Sequence, residues 1–167
     1  TTNPTGVVTV EHGTDITVSA SPIEGYSFLN WTPTGSVTIA NANQPSTSVT
    51  VTGDGSVKAS FINHPPQFDT SGITKTIGIA NTYSYKLNIT DPEGSAISFS
   101  KLDPTPPDLT VASDGTVSWP TGWDLQPMLY TIKIRGADAL GKADTAMWKI
   151  TPSSTHNWTE AGASGIG

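Results

Sequence analysis

The chain has 167 residues, no cysteine, a formal net charge of -6 and 13% charged residues, about half the share of an average globular domain. No cysteine means no disulfide, no thiolate metal site and no cysteine nucleophile. No segment is net positive, which argues against a nucleic-acid or anionic-membrane partner, and no apolar run approaches the roughly 20 residues that span a bilayer.

The first segment alternates with period two. Val8 and Val10, then Ile16, Val18 and Ala20, then Val49 and Val51, then Val57, Ala59 and Phe61 each place apolar side chains on one strand face. Between them, Ser21-Pro22-Ile23-Glu24-Gly25, Pro33-Thr34-Gly35 and Gly53-Asp54-Gly55 read as turns. Five or six short strands are expected, and the glycine and proline content leaves no room for a helix.

Asn63-His64-Pro65-Pro66-Gln67-Phe68 follows. Two consecutive prolines fix two φ angles and favour an extended path, so this stretch is expected to be a stiff spacer between two modules. Beyond it the alternation is clearer. Tyr83, Tyr85, Leu87 and Ile89 oppose Ser84, Lys86, Asn88 and Thr90, and Tyr130, Ile132 and Ile134 oppose Thr131, Lys133 and Arg135. With residues 73–79, 97–102, 109–112, 116–119 and 143–151, this predicts seven strands and a β-sandwich of immunoglobulin type. Asp103-Pro104-Thr105-Pro106-Pro107 cannot sustain a ladder and is expected to be a loop. Residues 153–167 have too little apolar content to pack and are expected to be a flexible tail. The expected division is therefore 1–62, 63–152 and 153–167, all-β throughout.

Two resemblances rest on these residues. Val18 to Pro22 with Gly25, Tyr26, Phe28 and Trp31, followed by Gly53 to Lys58 with Ala59 and Phe61, resembles the bacterial surface repeats related to the internalin B-repeat, over about residues 5–62. That implies a small β-grasp-like fold used in tandem in secreted and wall-attached proteins. Residues 63–152 resemble bacterial immunoglobulin-like modules akin to dystroglycan-type cadherin-like domains. The residues that carry this are Asn63-His64-Pro65-Pro66, Tyr83 to Gly94, Asp114 to Trp119 and Tyr130 to Gly141. Such modules serve as stalks, spacers and adhesion elements, and some bind calcium at acidic loops.

Asp91, Glu93 and Asp138 follow strand ends that the fold would bring near Asn63, and they are the candidate calcium ligands. Calcium takes six to eight oxygens, and three carboxylates fall short of that. The competing expectation is that Asp91-Pro92-Glu93-Gly94 is a tight turn and that Asp138 caps a turn through its own backbone. Five tryptophans raise carbohydrate binding, because aromatic faces stack on sugars. Trp31, Trp119 and Trp148 are expected in the cores, which leaves Trp123 as the candidate glycan-binding residue, with Trp158 in the tail. His12, His64 and His156 are scattered, without metal-ligand spacing, and are expected to be exposed and idle. No Gly-x-Ser-x-Gly elbow occurs, so no catalytic residue is assigned.

The expected function is a non-catalytic structural, spacer or adhesion segment of a larger secreted or cell-surface bacterial protein. Its partners would be neighbouring domains of the same polypeptide and a surface glycan or protein. The alternative is an ancillary carbohydrate-binding portion of a secreted glycan-degrading enzyme. Starting at Thr1 without an initiator Met, the chain is expected to be part of something longer, with any signal or anchor outside it.

Overall fold

The computed structural model describes residues 1–78, 80–122 and 125–153, and among these there is no helix. The chain divides into two compact units. One contains Thr1–Pro66 together with two downstream stretches, Thr90–Ile97 and Ala137–Ala143; the other contains Gln67–Ile89, Ser98–Gly136 and the chain from Asp144.

The first unit is built on strands β1 (Thr2–Asn3), β2 (Thr14–Ala20), β3 (Ser27–Ile39) and β4 (Ser46–Ile62), in one antiparallel sheet of order β1-β2-β4-β3. The pleat sorts side chains by face. Val18, Ala20, Trp31 and Val49 are buried on one side with Ile16, Phe28, Val37, Val51, Val57 and Phe61 packed around them. The other side carries the hydroxyl rows Thr17–Ser48 and Ser19–Ser46, and Asp15 opposite Thr50. Phe28 anchors the aromatic part of the core, 5.6 Å from Trp31 and 6.2 Å from Phe61 between ring centroids.

Two expected turns lie inside strands. Pro33 and Gly35 pair with Val57 and Gly55 within β3 and β4, and the pairing then jumps to Val37 opposite Val51. Proline is tolerated because β3 is an edge strand whose outward amide has no partner to lose. The glycines serve close approach instead of reversal. A Cβ on Gly35 would sit 2.4 Å from the Asp54 carbonyl oxygen, and one on Gly55 would sit 2.5 Å from that of Thr34.

The expected strand through Val8 and Val10 does not form. Residues 5–11 lie outside every strand, and Val7 is 98% exposed. On its outer side β2 pairs only with Thr2 and Asn3, at Ala20 and Ser19. Alternation alone did not provide a partner: Gly6 and Gly13, both at positive φ, bend the segment off the edge from Thr14 to Val18.

The second unit has a three-stranded sheet, β10 (Thr110–Val111), β11 (Thr116–Pro120) and β7 (Thr82–Lys86), in that order. A four-stranded sheet has the order β6 (Thr76–Gly78), β13 (Ala143–Ser153), β12 (Tyr130–Ala137) and β9 (Ser98–Leu102), and β5 (Gln67–Asp69) pairs with β8 (Asn88–Thr90). The two larger sheets hold seven strands and contribute to one core. Leu109, Val117, Ile132, Ile134 and Ile150 are wholly buried there, with Tyr83, Trp119 and Trp148 beside them. The expected alternation of residues 83–89 and 130–134 is the reason: it puts Tyr83, Leu87, Ile132 and Ile134 on buried faces. Trp119 meets Tyr130 edge to face at 5.0 Å.

Candidate functional site

Asp91, Glu93 and Asp138 lie on the two downstream stretches of the first unit, Thr90–Ile97 and Ala137–Ala143. Glu93 is engaged through both oxygens. Its side chain is 1% exposed. Oε1 accepts from Ser27 Oγ at 2.7 Å and lies 2.6 Å from His64 Nδ1, while Oε2 accepts from the His64 backbone amide at 3.0 Å. An ionised carboxylate can only accept, so the imidazole carries its proton on Nδ1. The bonds from the His64 ring and from Ser27 favour the anion and hold its pKa down at about 2, against the opposing effect of burial.

Asp138 closes its own turn. Oδ1 accepts from the backbone amides of Leu140 and Lys142, both at 2.9 Å, and Oδ2 accepts from Asn63 Nδ2 at 2.9 Å. Burial pushes this carboxyl up, but the Asn63 amide and the backbone donors of Lys142, Leu140 and Gly141 outweigh it, and its pKa is lowered. Asp91 does the same for the other loop, with Oδ1 accepting from the amides of Glu93 and Ser95 at 3.0 Å. The turn-and-cap reading of both loops therefore describes the geometry. Gly94 and Gly141 complete the two turns at φ of 76° and 89°.

This arrangement fits calcium poorly. Glu93 and Asp138 have both oxygens committed to protein donors. Among the described residues no group of three or more His, Asp or Glu side chains is gathered to hold a metal ion. Two buried oxygens of the cluster, Asn63 Oδ1 and Asp91 Oδ2, have no donor, short of the six to eight that calcium takes.

Sequence reasoning missed two members of the cluster. His64, expected to be idle, is half-exposed and bonded to Glu93 through both ring and backbone. Ser27, 66 residues from Glu93 in the chain, carried no signal of its role. Its hydroxyl donates to a carboxylate whose pKa of about 2 makes it a weak base. Trp123, the glycan candidate, and Trp158 lie outside the described residues. A cavity of about 670 Å³ in the first unit is lined by Val10, Ile16, Val37 and Val51, with His12 and Asp54 as its titratable groups; none of the three acids reaches it.

Residues 1–65 match the family model of the divergent InlB B-repeat domain. The B-repeat resemblance of the first segment is thereby borne out. No curated protein matches the chain. Among solved structures it is similar to the human desmocollin-1 ectodomain, at 16% identity over 89% of this chain and 35% of that one, with a TM-score of 0.40. It is also similar to protocadherin gamma C5 EC1-3, at 13% identity, 85% and 62% coverage and a TM-score of 0.41. A third is the tandem Ig repeats of Dlar, at 10% identity, 86% and 91% coverage and a TM-score of 0.38. The chain thus spans about a third of the desmocollin and three fifths of the protocadherin.

Proposed function

We propose that this chain is a non-catalytic structural or adhesion segment of a larger secreted or cell-surface bacterial protein, with neighbouring domains of the same polypeptide as its first partners. The observation that carries this reading is the state of its acids. Where a working site would keep a carboxylate or imidazole open to a substrate, Glu93, Asp138 and the Nδ1 face of His64 are used up in holding loops. A carboxylate held at a pKa of about 2 has no proton to give near neutrality. The B-repeat match over residues 1–65 supports a place within a longer polypeptide. Hydrophobic burial in two all-β units serves distance and display better than turnover.

The test is a binding screen on the full chain. Beads coated with it are presented to host-cell surfaces and to a glycan array. A display segment leaves the glycan array blank and carries an attached reporter domain out from the bead. Array binding that is lost in Trp123→Ala would replace this reading with the carbohydrate-binding alternative.

A further inference from the structure

Glu93 sits at the open end of the β3–β4 ribbon. Ser27 begins β3 and is the cross-strand partner of Ile62, which ends β4. A ladder that stops there leaves its last pair with neighbours on one side only, and such ends fray first. The Glu93 carboxylate bridges both strands at that point. It accepts from Ser27 Oγ on one strand and from the ring and amide of His64, two residues past the end of the other.

A second loop closes the same end. Asn63, next after Ile62, donates to Asp138 Oδ2, and Leu140 packs so closely over Gly25, two residues before β3, that a Cβ there would sit 2.9 Å from Leu140 Cδ1. Both loops lie in the first unit, yet the chain must run through Ile97, and then through Ala143, before it has supplied them.

We infer that residues 90–97 and 137–143 form a clip that closes the β3–β4 ribbon, so that the repeat, though first in sequence, is completed only when the chain through Ala143 has been made. The clip works by pinning two strand ends with one buried, charge-assisted acceptor. The repeat borrows its last fastenings from downstream chain. In a protein threaded outward from its N-terminus, this sets an order: the sheet forms early and becomes fully protected late.

Hydrogen exchange on the full 167-residue chain tests this. Removing the bridging acceptor in Glu93→Ala is expected to speed exchange of the amides in 28–35 and 56–62 by about tenfold or more, since bonds to charged groups are the stronger ones. Amides in 132–135 and 145–151 keep their rates. Faster exchange confined to 90–97, with the ribbon unchanged, overturns the inference. Should Glu93→Ala fail to fold, Ser27→Ala is read instead. It removes one of the donors and is expected to speed the same ribbon amides by about threefold, and wild-type rates there overturn the inference.

Discussion

Gly13 and Gly35 share a backbone conformation but differ in their surroundings, and that contrast allows one claim about the sheet to be tested quantitatively. Both lie at positive φ, 80° and 74°. An alanine at either must enter the left-handed region, at a cost of about 1–2 kcal/mol. At Gly13 that is the whole cost, because nothing lies within 4 Å of the added Cβ. At Gly35 the Cβ would meet the Asp54 carbonyl oxygen at 2.4 Å and the Gly55 Cα at 2.8 Å. These are backbone atoms held by the ladder and cannot swing aside as a side chain would, so about 1–3 kcal/mol of overpacking is added. Gly35→Ala is therefore expected to destabilise the first unit by about 2–5 kcal/mol, and Gly13→Ala by about 1–2 kcal/mol. Trp31 is the one tryptophan of the first unit, so urea unfolding followed by fluorine NMR of 5-fluorotryptophan-labelled protein reports that unit separately. Equal losses for the two variants would refute the account of β3 passing through Pro33–Gly35 as strand.

Three other predictions follow from the geometry. Ile132, wholly buried between the sheets of the second unit, should cost about 2–5 kcal/mol when cut to alanine, seen as a lower urea midpoint for the other tryptophans while the Trp31 signal stays in place. Glu93 has a folded pKa of about 2, below the ordinary carboxylate value of about 4.3. Its contribution is therefore present in full above that ordinary value and is lost as pH falls through 2. The gap in melting temperature between wild type and Glu93→Gln should be constant from neutral pH to about 5 and then shrink steadily toward 2, and a gap that widens on acidification contradicts it. Calcium at millimolar concentration, added to chelator-stripped protein, should leave the melting temperature unchanged, because the carboxylates it would need already have donors; a clear rise would mean that Asn63 Oδ1 and Asp91 Oδ2 recruit the ion.

What could be read from the chain beforehand was what local alternation controls. Tyr83 to Ile89 and Tyr130 to Ile134 each place every second residue on a buried face, and the period alone was enough to find them. Trp31 and Trp148 went to the cores for the same reason, and Trp119 where the immunoglobulin-like resemblance implies a core residue. Pro33–Gly35 and Gly53–Gly55 were misread because turn residues and close-approach residues look alike from one strand; only the partner strand distinguishes them. Val8 and Val10 show the converse, an alternating stretch without a neighbour. The acidic loops were half legible. Asp91 and Asp138 bond to amides two and four residues on, which spacing can suggest, whereas Glu93 is fixed by Ser27 and His64, at separations of 66 and 29 residues.

The bare outer edge of β2, from Thr14 to Val18, has a consequence for any protein that repeats this unit. A row of unpaired amides and carbonyls accepts another strand with little regard to its sequence, and adjoining copies would offer one another the same row. Asp15 is the single charge on that stretch. Set against its counterpart in a neighbouring copy, it would bring two carboxylates together, a like-charge contact that disfavours such pairing.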